Sequence, residues 1–337
     1  MGVDSPPREA VTLPTMRSTK PFVGIDLGGT NMQIGVVSHD CKLLAPAKRK
    51  TKADEGLDAI VGRLISGIEE ACERANVRVL DLGGIGIGAP GVVDPFKGVV
   101  IEAVNLRWTN VPIAEILSKK LKIKVWLDND VNVAVYGENK MGAGKGSNQC
   151  LGIWVGTGIG GGLILNGKLH YGHFFSAGEI GHTILYPGAP RGNRTLENNC
   201  SRTAVVDRLV RLIRSNARSK IIEDVGDDLE SIKSRALGKH YSAGDKLVVE
   251  VIDHTADLLG VAIANTVTLL SLERVILGGG LTEAVGKPFV DRVQKATRDH
   301  VFPDLCKKVE IVASQLADNA GVFGAAMIAM DRRAEHR

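Results

Sequence analysis

The chain has 337 residues, enough for about two domains and a substantial core. It carries 42 basic and 38 acidic residues, a net charge of +4, and 44% of its residues are hydrophobic. That balance leaves no electrostatic footprint for nucleic acid, and no apolar run reaches the ~18 residues of a membrane span. Residues 1–20 are polar and proline-containing, and are expected to form a disordered tail. Val23, Ile25 and Leu27 alternate along a strand, Gly28-Gly29-Thr30 turns, and residues 33–37 return, which predicts a β-hairpin. Leu43 and Leu44 begin a third strand. Leu57, Ile60, Val61, Leu64, Ile65 and Ile68 then fall on one helical face. Ile85 and Ile87 mark a strand ending in Gly88-Ala89-Pro90-Gly91, a short helix follows Pro112, and KVWLDND is a strand running into acidic residues.

The second half repeats the theme. QCLGIWVGTGIGGGLILNGKL is again strand, glycine turn and strand, closed by the small turn Asn166-Gly167. GAGKGSN, residues 142–148, reads as a solvent loop before it. A long helix follows within residues 246–271, then a strand breaking at Gly278-Gly279-Gly280, a late strand at VEIVASQL and a terminal helix. Strands alternating with helices define an α/β class, in two halves that each open on a glycine-turn hairpin. A ligand is expected in the cleft between them.

The two turns carry the first chemical signal. In DLGGT, residues 26–30, no bulky side chain guards the turn, so backbone N–H groups can converge on an anion. Thr30 adds a hydroxyl, and Asp26 is a candidate to hold Mg²⁺ directly or through water. GTGIGGG, residues 156–162, offers the same around Thr157. Neither is a Walker loop. Gly156, Gly158 and Gly161 fit G-x-G-x-x-G, but they lie between two strands, not before a helix. Gly278-Gly279-Gly280 is a strand-to-helix turn open to a base or ribose. Asp128-Asn129-Asp130 suits helix capping as well as catalysis. Five cysteines with no C-x-x-C spacing read as reduced thiols of a cytoplasmic protein.

The motifs GIDLGGTN, GIGAPGVVDPFKGVV with NLRW, LDNDVNVAVYGE, GTGIGGGLILNGKL, GEIGH and VILGGGL occur in that order over roughly residues 21–332. In this the chain resembles the ROK-family sugar kinases (repressor, open reading frame, kinase). The resemblance implies an actin-like ATPase fold of two ribonuclease-H-like lobes, 21–133 and 134–319, with a C-terminal helix, about 320–337, returning to the first. It implies ATP and Mg²⁺ as cofactors, and phosphorylation of a hexose, often glucose at its 6-hydroxyl. Residue by residue, Asp130 matches the catalytic base and Asn129 its sugar-binding neighbour. Gly91 and Asn105 match positions lining the sugar, while Glu179, His182 and Glu197 match the sugar-contacting trio. Asp26, Gly28, Gly29, Thr30, Asn31, Gly156, Thr157, Gly158, Gly278, Gly279 and Gly280 fall on the nucleotide side. The family is often dimeric or tetrameric.

Two departures stand out. Many members hold zinc with one histidine and three cysteines spaced C-x-C-G-x-x-G-C, but this segment reads GHTILYPGAPRGNRTLENNCS. Cys200 lies after Glu197, not before it, so no structural zinc is expected and the loop must be held by packing and hydrogen bonds. Asn31 stands where many members have Lys, removing a charge near the phosphates. Kinases for N-acetylmannosamine or fructose, a polyphosphate donor, and a non-catalytic sugar-binding regulator remain alternatives. A DNA-binding repressor would need a winged-helix domain, for which the residues before the first strand are too few.

Overall fold

The computed structural model describes residues 19–226 and 228–335. The expected tail therefore lies outside the described residues, apart from its last two. The first half begins with β1 (Phe22–Leu27), β2 (Asn31–Val37) and β3 (Leu43–Lys50), followed by helix α1 (Leu57–Arg74) and β4 (Ile85–Ala89). A small antiparallel sheet follows: β5 (Val92–Asp94), β6 (Val99–Ala103) and β7 (Trp108–Val111). Helix α2 (Ile113–Leu121), strand β8 (Val125–Asn129) and helix α3 (Asp130–Met141) lead onward.

The second half opens with β9 (Cys150–Val155), β10 (Ile159–Leu165) and β11 (Lys168–Leu169). Helices α4 (Leu196–Cys200), α5 (Arg202–Arg214), α6 (Ile222–Val225), α7 (Ser234–Ser242) and α8 (Lys246–Leu270) come next. Strand β12 (Arg274–Gly278), helices α9 (Gly280–Val285) and α10 (Lys287–His300), strand β13 (Glu310–Ala313) and helix α11 (Ala320–Glu335) complete it.

Two five-stranded sheets share one topology. The first has the order β3-β2-β1-β4-β8 and the second β11-β10-β9-β12-β13. In each, three antiparallel strands are extended by two parallel ones. Parallel pairing aligns strand ends: Asp26 pairs with Gly88, and Gly88 with Asp128. In the second sheet Gly278 pairs with Trp154. The glycine turns and the acidic residues after β8 thus leave their sheets at carboxyl ends, where open α/β sheets receive ligands.

Helix α3 runs unbroken across the expected lobe boundary at 133/134 and touches both sheets. A Cβ on Gly88 of β4 would strike Val133, and one on Gly152 of β9 would strike Val135. Helix α11 packs so closely against the first half that side chains are excluded. An added Cβ at Gly86 would land on the Ala325 carbonyl, one at Gly24 on the Val322 carbonyl, and one at Gly324 on the Val133 carbonyl. The residues read as a solvent loop before β9 are partly interior. Gly142, Ala143, Gly144 and Ser147 are buried, because Glu138 accepts from the Ala143 N–H at 2.7 Å and Asn139 Nδ2 donates to the Ser147 carbonyl at 2.8 Å.

This packing makes a signed prediction. Gly324→Ala should lower stability by about 2–3 kcal/mol, the scale of a forced overpacking. Gly62→Ala, at an exposed site in α1 with nothing within 4 Å, should raise it by about 0.5–1 kcal/mol. Denaturant melts of both variants check the pair.

Candidate active site

Residues 128–130 sit where β8 becomes α3. Asn129 caps the helix: its Oδ1 accepts from the N–H groups of Val131 at 2.9 Å and Asn132 at 3.0 Å. Its Nδ2 donates to the Gly91 carbonyl at 3.0 Å. An amide carries two N–H donors, so Asn129 retains one for a ligand. Gly91 has φ +88°, and a Cβ there would collide with the Glu102 carbonyl, so only glycine fits.

Asp128 serves structure. Its buried carboxylate accepts from Arg332 Nη2 at 2.9 Å, the Tyr171 hydroxyl at 2.7 Å and the Asn129 N–H at 2.9 Å. Asp130 opens α3 and accepts from its neighbour Val131 at 2.9 Å. Burial pushes its pKa up to about 6, with a further push from Glu179 opposed by the Val131 N–H.

Across the cleft lies the trio. Glu179 precedes a single 3₁₀ turn, Ile180–His182, that carries His182 to the surface. Its carboxylate stands 4.0 Å from His182 Nε2. Burial raises the Glu179 pKa, helped by Glu197 and opposed by His182. Glu197 lies in α4, which a capping box between Thr195 and Asn198 starts. Its Oε2 accepts from the Ile159 N–H at 2.7 Å, tying the trio to the second glycine turn.

These elements enclose a cavity of about 780 Å³. Gly91, Asn105, Asn129, Asp130, Glu179, His182 and Glu197 all line it, joined by Gly156, Gly158 and Gly279. A second cavity of about 250 Å³ adjoins it, sharing Asp130, Trp154 and Gly279 and adding Asp26, Gly280, Glu283 and Asp318. Burial, with repulsion from Asp130 and Asp318, pushes Asp26 up to about 7.

The turns are more selective than their sequences. The Gly28 N–H donates to the Asn31 carbonyl, and the Gly156 N–H to the Gly158 carbonyl, each at 2.9 Å. Those two donors are used inside their turns, which leaves Gly29, Thr30, Thr157 and Gly158 as candidates for an anion. Gly29 abuts Asn105: a Cβ there would lie 3.1 Å from the Asn105 Cβ. Gly278 is a packing glycine, since a Cβ would lie 2.7 Å from the Trp154 ring. Asn31 begins β2 in register with Lys50. Trp154, Glu283 and Asp318 were not expected at the site. Trp154 reads as one more strand residue, and the two acids sit in segments with no motif.

Cys200 is fully buried in the second-half core, and burial pushes its thiol up to about 12. Among the described residues no group of three or more His, Cys, Asp and Glu is arranged to hold a metal. Hydrogen bonds hold the loop between His182 and Glu197. Arg194 Nε donates to the Ala189 carbonyl, and the Arg194 carbonyl accepts from Leu185 at 2.8 Å and Tyr186 at 3.1 Å. Leu196 N–H closes it onto the Thr183 carbonyl at 2.9 Å. No described helix is long and apolar enough to cross a membrane.

Two lobes of common topology around such a cleft define an actin-like ATPase fold. The ROK family model matches residues 22–332, and the chain belongs to that family. It is 32% identical over 316 residues to a glucokinase of Thermotoga maritima, covering 92% of this chain and 98% of the relative. A crystal structure of a ROK family glucokinase from Streptomyces griseus, in complex with glucose and AMPPNP, superposes with a TM-score of 0.80 at 28% identity. That match covers 92% of this chain and 99% of the other. A xylose repressor of Caldicellulosiruptor bescii is 27% identical over 329 residues, 96% of this chain and 82% of its own.

Arg194 gives this loop its test. Arg194→Ala should raise the KM or Kd for the sugar about three- to tenfold, by loosening the segment that aims Glu197, while the melting transition stays cooperative. Sugar titrations of the two proteins measure it.

Proposed function

We propose that the chain is an ATP-dependent kinase of a hexose, with glucose at its 6-hydroxyl the first candidate, and that Asp130 is its general base. One observation carries the reading. The seven residues expected to meet a sugar line one cavity, and Asp130 also lines the adjoining one that holds Asp26. Likeness to glucokinases over nearly the whole chain supports it.

The chemistry follows from the geometry. A pyranose presents several adjacent hydroxyls, and Glu179, Glu197, His182, Asn105 and the free Asn129 N–H supply acceptors and donors for them. A ligand lacking those hydroxyls would cover these polar groups without pairing them, which is the source of selectivity. Asp130, with a pKa of about 6, is ionised at neutral pH and still basic enough to accept a hydroxyl proton. The remaining work is positioning and charge stabilisation around the transferred phosphoryl group.

The donor set fits Mg²⁺. Burial, and after it the charges of Asp130 and Asp318, raise the Asp26 pKa, and a hard cation relieves that repulsion. Asp26 would hold the ion, with phosphate oxygens and water completing its shell, as Mg²⁺ prefers. Bound there, Mg²⁺ neutralises charge on the phosphates. A non-catalytic sugar-responsive regulator is the second reading, favoured by the likeness to a xylose repressor. The place of Asp130, lining both the larger cavity and the adjoining one that holds Asp26, argues for catalysis instead.

A hexose panel with Mg²⁺ and ATP, read by ADP release, decides between them: no turnover of any sugar overturns the kinase. Asp130→Asn should cut kcat by about 10²–10⁴-fold while sugar affinity stays within a few fold. The base must be ionised to act, so kcat/KM for the sugar should fall as pH drops through about 6. A pH-independent profile between 5 and 8 would remove Asp130 from that role.

A further inference from the structure

The cleft has a charge problem. Glu102, Asp130, Glu179 and Glu197 line its larger cavity, and Asp26, Asp130, Glu283 and Asp318 its smaller one. Neither lining includes a lysine or arginine. A nucleoside triphosphate adds further negative charge, so a protein cation just behind the lining would add to what a metal ion supplies.

We infer that Arg202 is a positioning residue for the phosphoryl donor: it aims the Thr157 hydroxyl at a phosphate and sets a positive charge behind the 156–158 turn. The inference rests on the kinase reading above. Arg202 opens α5, directly after its capping residue Ser201. Three bonds clamp the turn to this helix start. Arg202 N–H donates to the Gly156 carbonyl at 2.9 Å, Arg202 Nη2 to Thr157 Oγ1 at 3.0 Å, and Thr203 Oγ1 to the Thr157 carbonyl at 2.8 Å.

The middle bond is the informative one. A guanidinium only donates, so it occupies a lone pair of the Thr157 oxygen and leaves the hydroxyl proton for another acceptor. A phosphate oxygen taking that proton would lie within roughly 6 Å of the guanidinium, near enough for attraction. Arg202 itself is held in an unfavourable state. Its Nε is buried with no hydrogen-bond partner. It also sits in the first turn of α5, where the helix dipole disfavours a cation and no acidic residue offsets it. An anion bound at the turn offsets the second penalty, the cation at the helix start. Rival cations are Lys50, exposed and in register with Asn31 beside the first turn, and Arg211 and Arg214, which line a separate cavity with Thr157.

The test compares Arg202→Ala, Arg202→Lys and Lys50→Ala with the wild-type chain. ATP, tripolyphosphate, adenosine and the hexose are each titrated by calorimetry, and KM is measured for ATP and for sugar. Arg202→Ala should weaken ATP and tripolyphosphate at least about tenfold, the scale of one charge-assisted contact. Adenosine and sugar affinity should stay within about twofold, and Arg202→Lys should restore part of the loss. Unchanged ATP affinity in Arg202→Ala overturns the inference. So does an equal loss for adenosine and sugar, which would mark a purely structural clamp, or a loss in Lys50→Ala alone. Wild-type chain that binds ATP but phosphorylates no hexose overturns the kinase reading, and the binding comparison still decides the role of Arg202. Wild-type chain that binds neither ATP nor tripolyphosphate overturns both.

Discussion

The ion pair of Asp128 with Arg332 is the contact on which the site depends. Both side chains are withdrawn from solvent, at 0% and 16% exposure. Such a pair adds little net stability, because desolvation cancels most of the attraction, yet losing one partner strands a buried charge. Its value is positional. Arg332 comes from the terminal helix α11, and Tyr171 from just beyond β11 in the second half; both converge on Asp128, and Arg332 also donates to the Pro95 and Leu127 carbonyls at 2.7 and 3.1 Å. The Phe96 ring packs edge-on to Tyr171 at 5.7 Å and lies 5.9 Å from the Arg332 guanidinium. Three distant parts of the chain therefore fix the backbone two residues before Asp130. The Asn129 cap and the Asp130 carboxylate inherit that fixed position.

Electrostatics explains why the same residues titrate unusually. Asp26, Asp130 and Glu179 are all pushed upward, first by burial and then by a neighbouring carboxylate: Asp130 on Asp26, Glu179 on Asp130, and Glu197 on Glu179. A cleft built from carboxylates with cations kept behind its walls is poorly matched to an empty state. It suits a ligand that brings hydroxyl protons on one side and a metal-bound polyphosphate on the other. Asn31 fits that division: with no lysine on the first turn, the cation proposed for the phosphates, Arg202, stands on the second-half side.

Much of this was legible in the sequence, because it is carried by spacing and by backbone chemistry. Alternating Val23, Ile25 and Leu27 before Gly28-Gly29-Thr30 marks the first hairpin, and residues 151–164 repeat it; both are found as read. The small sheet β5–β7 was not legible, since strands of three to five residues containing Asp94, Glu102 and Asn110 show no sustained alternation. Helices α5 and α10 had a readable signal that went unused: Val205, Val206, Leu209 and Val210, and Phe289, Val290 and Val293, recur at helical spacing. At the site, side chains within named motifs converge on one cavity. Trp154, Glu283 and Asp318 escaped because tertiary packing alone brings them there. Gly278 shows the converse: a glycine inside a motif, kept small by a tryptophan ring.

The acidic residue at the far end of α3 completes the logic. Glu138 is fully buried, and among the described residues it forms no ion pair. Its Oε1 accepts from the Ser314 hydroxyl at 2.6 Å and from the Gln315 and Leu316 N–H groups at 2.9 and 2.7 Å, while Oε2 accepts from Ala143. Four donors satisfy the carboxylate, so it binds α3 to the loop after β13 as Asp128 binds the other end to α11. Between these anchors α3 and α11 meet at Gly137 and Gly324 with no room for a methyl group. The α3–α11 contact therefore fixes Asp130, the first residue of α3, relative to both sheets that α3 touches.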